Sequence, residues 1–312
     1  MAHEHRSGVD LPPGELVSQG QVERDSAAAR IKVGLIGASI QQSRSPFMHE
    51  TEAAALGLGL DYELFDLKAM DVGPEALPDL IRQVEDEGYA GVNVTHPCKQ
   101  AVIPLLDELS EDAAMIGAVN TVVFKDGRRH GYNTDEWGFG ESFRRQMLGA
   151  PLDRVVQIGA GGAGAATAHA MLALGAARLS IFDVDASRAH ALAAKMAAKF
   201  GQGRAELASD LDAVVTQAQG LVQASPVGMA DHPGMPVPVA LLRRDLWVAE
   251  VIYFPLETEL LGRARALGCR TVDGGGMAVF QAAKAFELFT GVAPDMERML
   301  GRFRSEPVGF DL

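Results

Sequence analysis

The stretch from Arg154 to Asp185, "RVVQIGAGGAGAATAHAMLALGAARLSIFDVD", constrains the fold more than any other part of the chain. An apolar run ends directly in Gly159, and Gly161 and Gly164 follow at the spacing that opens a helix on a phosphate. The three glycines serve separate physical ends, namely a tight turn, close approach of backbone N–H groups to a diphosphate, and close packing of helix against strand. The helix N-terminus adds positive potential where that diphosphate would lie. A second apolar run then ends in Asp183, about twenty residues beyond the first glycine, where a carboxylate can accept the ribose hydroxyls. The stretch therefore predicts a parallel βαβ unit that binds a dinucleotide. Asp183 and Asp185 would repel a 2'-phosphate, whereas Arg188 could pair with one or stack on adenine. Two acids against one base favour NAD over NADP.

Strand-like and helix-like runs alternate on both sides of this unit, the pattern of an α/β protein with covered parallel sheets. "IKVGLIG", "DYELFDL" and "YAGVNVT" read as strands, "PFMHETEAAALGL" and "ALPDLIRQVEDEG" as helices. Pro104 interrupts the helix that carries Lys99, and a new helical start is expected near Leu105. "GAVNTVVFKDGRRHGYNTD" predicts two strands around an Asp-Gly turn. Beyond the glycine loop, "AELAS", "GLVQASPVGM", "WVAEVIY" and "RTVDGGG" continue the alternation, and "MAVFQAAKAFELFTG" is a last helix returning to the first half. At 312 residues the chain accommodates two domains. The expected division is a flexible tail over 1–30, a substrate-binding domain over 31–138 completed by 278–312, and a Rossmann nucleotide-binding domain over 139–277.

Charge and composition remove several classes of function. With 41 acidic against 28 basic residues the formal charge is −13, which disfavours nucleic acid and anionic lipid. No apolar stretch approaches the roughly 20 residues that span a bilayer, and the first thirty residues lack the apolar core of a signal peptide, so a cytoplasmic protein is expected. Cys98 and Cys269 are the two cysteines and form no C-x-x-C pair, so neither a disulfide framework nor a metal site is indicated.

"GVNVTHPCKQ" raises a different question. It places Lys99 in the first turn of a helix opened by Pro97, the positive end of the dipole, where a cation is mildly disfavoured. If a nicotinamide binds nearby and a hydride leaves a carbinol carbon, the hydroxyl must lose its proton to a positioned base. Lys99 is the candidate, and Asp135 in "GYNTDEWG" is the carboxylate to hold it. His96, adjacent to the site, could modulate rate with pH or simply sit at an exposed helix start. Cys98 reads as a small, partly buried side chain. His49, His130, His169 and His232 read as surface or packing residues.

Taken together, "SRSPFMH", "NVTHPCKQ", "GAVNT", "YNTDEWG", "IGAGGAG" and "VDGGGMAVFQ" resemble the successive motifs of the shikimate dehydrogenase family, from Ile31 nearly to the end of the chain. The resemblance implies an N-terminal substrate domain, a Rossmann domain and a cleft between them, in an oxidoreductase of aromatic amino acid biosynthesis or quinate catabolism. It implies that Ser43 and Ser45 hold the substrate carboxylate, that Thr95 and Asn120 surround the ring hydroxyls with Lys99 and Asp135 as catalytic dyad, and that Tyr253 and Gln281 complete the pocket. Gly159, Gly161, Gly162, Ala163, Gly164, Asp183, Arg188, Ser225, Val251, Gly274 and Met277 are the expected cofactor contacts. The partner is then a small-molecule carboxylate substrate, with no nucleic acid, membrane or metal, on a monomer or homodimer.

"FDVDASR" departs from the "NRT" phosphate-binding motif common in biosynthetic members and resembles the NAD-using quinate/shikimate dehydrogenases, as does His96. Arg44 stands where a lysine is frequent, a change expected to be silent if it faces solvent. Phe280 and Gly275 lie where pocket shape could vary. The expected activity is NAD-dependent oxidation of quinate, shikimate or both to the 3-dehydro product. The alternatives are an aminoshikimate or related polyol-acid dehydrogenase, or a regulator that binds quinate or shikimate without turnover.

Overall fold

In the computed structural model of the chain, which describes residues 30–305, two six-stranded sheets are built one after the other. The tail expected over 1–30 lies, apart from Arg30, outside the described residues. The first half runs β1 (Ile31–Gly37), α1 (Ser45–Ala55), β2 (Leu60–Asp66), α2 (Leu77–Asp86), β3 (Gly91–Val94), α3 (Cys98–Ala101), β4 (Glu108–Leu109), α4 (Glu111–Ile116), β5 (Thr121–Lys125) and β6 (Arg128–Tyr132). Its sheet order is β2-β1-β3-β5-β6-β4. β1 pairs in parallel with β2 and β3, whereas β5 is antiparallel to both β3 and β6, so the sheet is mixed. Asp126 and Gly127, both at positive φ, make the tight turn that the Asp-Gly pair anticipates. Where a helix was expected near Leu105, the chain makes a 3-10 turn over Ile103–Leu105 and then β4, a short strand parallel to β6. The pairing is tertiary: a two-residue strand exists only because β6 offers it an edge.

The second half runs α5 (Thr134–Gln146), β7 (Arg154–Ile158), α6 (Gly162–Ala173), β8 (Arg178–Phe182), α7 (Ala186–Phe200), β9 (Ala205–Leu207), α8 (Leu211–Gln217), β10 (Gly220–Gln223), β11 (Trp247–Glu250), α9 (Glu259–Ala266) and β12 (Thr271–Val272). All neighbours in its sheet are parallel, in the order β12-β11-β10-β7-β8-β9. The order reverses between β7 and β10. That switch point opens a crevice at the carboxyl ends of the two strands, the place where doubly wound sheets bind ligands.

Two long helices tie the halves together. α10 (Gly274–Thr290) leaves the second sheet and packs along α5, and α11 (Met296–Ser305), which the sequence pattern did not reveal, then lies against α1 and α10. The α5–α10 approach needs glycine: a Cβ on Gly138 would stand 2.6 Å from the Gln281 nitrogen, and one on Gly276 would stand 2.2 Å from the Ser142 hydroxyl. α5 serves both cores. Phe139, Phe143 and Met147 are buried with Met171 and Trp247 under the second sheet, while Trp137 packs with Ala278, Phe280 and Phe303.

Candidate active site

The ends of β3, β5 and β6 and the N-termini of α3 and α5 meet at one place. Pro97, joined to His96 by a cis peptide bond, occupies the N-cap of α3, one position earlier than the first-turn placement expected, and Lys99 follows in a helix of four residues. Its carbonyl accepts from Val119 N at 2.8 Å, which pins the turn to the strand beside it. Asn133 caps α5 by accepting from Glu136 N at 3.3 Å and donates to the Ala118 carbonyl at 2.9 Å. Asp135 therefore stands in the first turn of α5, where a carboxylate is favoured. Lys99 Nζ lies 2.5 Å from Asp135 Oδ2. Residues 36 apart in sequence are thus joined in an ion pair whose carboxylate is 7% exposed.

The other carboxylate oxygen is also held. Asn120 Nδ2 donates to Asp135 Oδ1 at 2.9 Å, and Asn120 Oδ1 accepts from Thr134 N at 2.8 Å. Gln281, arriving on α10, is 3.4 Å from the Thr134 hydroxyl. Two residues that the sequence did not single out extend the network. Asn93 donates to Thr121 Oγ1 at 3.0 Å, and its Oδ1 accepts from the Tyr62 hydroxyl at 2.8 Å. Asn93 could have been found as the single polar side chain in the otherwise apolar, wholly buried β3. Tyr62 gave no signal beyond strand alternation.

The serine pair stands at the start of α1, with Ser43 Oγ 3.2 Å from Ser45 Oγ. His49 is fully buried behind it, and burial pushes its imidazole down to about 4, so the neutral ring donates from Nδ1 to the Ser45 carbonyl at 2.9 Å. The Ser45 hydroxyl also bears on Tyr62, whose phenol burial pushes up. Tyr253 is 49% exposed. Desolvation raises its phenol, and the charges of Lys99 and Asp135 both reach it, which places it at the mouth of the same site. His96 is exposed at the rim, and the Thr95 amide is held by the Ile36 carbonyl at 2.9 Å.

Three expectations change. Arg44 does not face solvent: its guanidinium lies 4.2 Å from the centre of the Phe303 ring. Phe280 is 1% exposed, packed with Met299 and Phe303 beneath the Arg145 guanidinium, and a Cβ on Gly275 would meet Leu256 and Phe303. Both positions face α11 and do not shape the pocket. Cys98 is completely buried, which raises its thiol and makes it inert packing.

At the switch point, Gly159 has φ +104°, and a Cβ on it would lie 2.5 Å from the Ala224 carbonyl. A Cβ on Gly164 would meet the Gly159 carbonyl at 2.2 Å, the close helix-to-strand contact required of the third glycine. Cβ atoms on Gly161 and Gly162, by contrast, would meet nothing within 4 Å, so the helix start with Ala163 next along it is open to a ligand. Gln157, missed in the sequence, braces the loop from beneath by donating to the carbonyls of Gly159 and Gly164 at 2.9 and 2.7 Å. Ser225 follows β10 across the crevice, a Cβ on Gly274 would touch the Val251 and Ile252 carbonyls at 2.4 Å, and Met277, further along α10, is buried in the core with Trp247 and Val272. Asp183 accepts from Ala160 N at 2.7 Å and from Asp185 N at 2.9 Å. Arg188 lies 3.2 Å from Asp185, so its charge is answered within the chain. These residues fit a dinucleotide. Among the described residues no group of His, Cys, Asp and Glu could hold a metal ion, and no helix is long and apolar enough to cross a membrane.

A glycine cradle at the switch point of a doubly wound sheet, beside a lysine–carboxylate pair, defines a pyridine-nucleotide oxidoreductase acting on CH–OH groups. The family model for the shikimate dehydrogenase substrate binding domain matches residues 35–122. The chain is 57% identical over 270 residues to the shikimate dehydrogenase (NADP(+)) of Streptomyces avermitilis, covering 86% of this chain and 93% of that one. It is 46% identical over 281 residues to the quinate/shikimate dehydrogenase (NAD(+)) of Corynebacterium glutamicum strain R, covering 88% and 98%. Among solved structures, the quinate dehydrogenase from Corynebacterium glutamicum in complex with NAD superposes with a TM-score of 0.83 at 45% identity, covering 89% and 99%. The chain belongs to the shikimate dehydrogenase family.

Proposed function

We propose that the protein oxidises quinate, shikimate or both at a ring hydroxyl, reversibly, with NAD preferred over NADP. The observation that carries the chemistry is the Lys99–Asp135 pair, held at 2.5 Å with its carboxylate fixed a second time by Asn120. The division of labour is residues 31–138 with 278–312, of which 306–312 lie outside the described residues, for the acid and 139–277 for the nucleotide. Ser43 and Ser45 receive the substrate carboxylate, Thr95 and Asn120 surround the ring hydroxyls, and Tyr253 and Gln281 complete the pocket. With its amine in the neutral form, Lys99 takes the hydroxyl proton during oxidation, and the ammonium so formed, held by Asp135, returns it during reduction. A bound nicotinamide supplies the hydride acceptor.

The NAD preference rests on residues 183–188. Asp183 and Asp185 present two carboxylates where a 2'-phosphate would lie, and the one nearby guanidinium is occupied by Asp185. Relatives named for either cofactor are similar to this chain, so these side chains and not the overall likeness carry the choice. A four-way assay of purified protein, NAD or NADP with quinate or shikimate, tests the reading. The expected outcome is turnover with kcat/KM for NAD at least about tenfold above NADP, the effect of roughly 1.4 kcal/mol of charge repulsion. Equal use of both nucleotides would remove the cofactor reading, and binding without turnover would favour a regulator.

A further inference from the structure

Between the two serines, the Arg44 side chain turns away from the cleft and into the protein. Its Nη1 donates to the Phe303 carbonyl at 2.7 Å, its Cζ lies 4.2 Å from the centre of the Phe303 ring and 5.8 Å from that of Phe47, and Nη2 is buried without a partner. Phe303 lies in the last described turn of α11, and the residue four positions on in the sequence is Pro307, which carries no N–H to donate to its carbonyl. Arg44 supplies that carbonyl with a donor. α11 is itself mounted on α1: Arg298 pairs at 2.5 Å with Glu52, which is fully buried, and Arg302 donates to the Thr51 carbonyl at 2.6 Å. At the other end of the loop, Asp66 accepts from Ser39 N and Ile40 N at 2.8 and 3.0 Å. The serine-bearing loop is therefore tied at its far end by Asp66 and at its α1 end by Arg44.

We infer that Arg44 is a positioning residue for substrate binding, fastening the backbone between Ser43 and Ser45 to the end of α11 so that both hydroxyls are held for one carboxylate. The inference rests on the proposed reading, in which those serines bind the acid. It places the effect in affinity and not in chemistry, because a carboxylate contact remote from the reacting carbon is the same in the ground and transition states.

The test is steady-state kinetics of Arg44→Ala, Arg44→Lys and Phe303→Leu beside the wild type, with urea midpoints measured on each. Arg44→Ala should raise KM for the acid about tenfold, the loss expected for one charge-assisted hydrogen bond. kcat and KM for NAD should stay within about twofold, since uniform binding alone is lost. Arg44→Lys keeps a cationic donor for the Phe303 carbonyl and should restore most of the affinity. Phe303→Leu keeps the carbonyl and removes the ring, and should give an intermediate KM. A folded Arg44→Ala enzyme with wild-type KM, or one in which kcat falls or KM for NAD rises equally, overturns the assignment. If Arg44→Ala does not fold, Phe303→Leu decides by the same criterion: a wild-type KM for the acid overturns the assignment. Should the wild type show no turnover, the proposed activity fails, and calorimetric titration of quinate and shikimate into the same variants then decides whether Arg44 sets acid affinity.

Discussion

Lys99 shows how a single side chain can be misplaced by local rules and well placed by tertiary ones. A cation in the first turn is unfavourable against the helix dipole, but α3 has four residues and its opposing charge is Asp135, set at its own helix N-terminus and bound by Asn120. Two local preferences, one violated and one obeyed, meet in a single pair. Lys99→Ala should lower kcat by about 10²–10⁴, the usual contribution of a positioned acid–base group, with a much smaller change in KM. Rapid-quench and steady-state assays check this, and a variant retaining wild-type kcat would move the base elsewhere. Lys99, Asp135 and the serines were legible as residues in the sequence. Asn93 carried one mark, a lone polar residue in an apolar strand, whereas Tyr62 and Gln157 did not stand out, because a polar residue that bonds to buried neighbours has the same local pattern as one that faces water until the neighbours are known.

Among the elements, β11 carries an unusual feature at its end. Glu250 is 1% exposed, its Oε2 accepts from the Thr258 hydroxyl at 2.5 Å, and its Oε1 is buried without a partner. Desolvation pushes this carboxyl from 4.5 up to about 7. The folded state thus binds the proton more tightly than the unfolded chain, so this group stabilises the fold below about pH 4.5, and the contribution is lost as pH rises to about 7. Glu250→Gln keeps the acceptor for Thr258 and removes the ionisation. Its unfolding free energy from urea titration should fall less than that of the wild type between pH 5 and pH 8, a difference of up to about 3 kcal/mol. Identical slopes would mean that Glu250 does not ionise over that range. Elements with strong periodicity or glycine punctuation were readable: β1, α2, β7, α6, β8 and the β5–β6 hairpin. β4 and α11 were not. β4 depends on an edge supplied by β6, and α11 is held by Glu52, Thr51 and Arg44 on the opposite side of the sequence.

For the whole molecule, the shared helix α5 decides how the halves behave. Its Phe139, Phe143 and Met147 belong to the nucleotide-side core, with the Phe143 and Trp247 rings 4.9 Å apart, while Trp137 faces the core that contains Phe280. Further polar contacts cross between the halves: Lys199 pairs with Glu111, and His169 lies 3.7 Å from Asp112. Neither core can be opened without exposing a face of α5. Unfolding in urea should therefore be one cooperative transition, with the same midpoint for Trp137 fluorescence in a Trp247→Phe background, Trp247 fluorescence in a Trp137→Phe background, and far-ultraviolet circular dichroism on each variant. Separate midpoints for the two signals within one variant would show that the halves melt independently.

By itself the sequence determined the βαβ unit, the alternation on either side of it and the candidate side chains of the site, since strand runs, glycine spacing and charge are properties of neighbours along the chain. The tertiary structure alone decided which of those side chains meet. Lys99 reaches Asp135 across 36 residues, Gln281 reaches Thr134 across 147, and Arg44 reaches Phe303 across 259. Contacts at such separations are fixed by sheet order and by the α5–α10 crossing, and neither leaves a periodic mark in the local sequence.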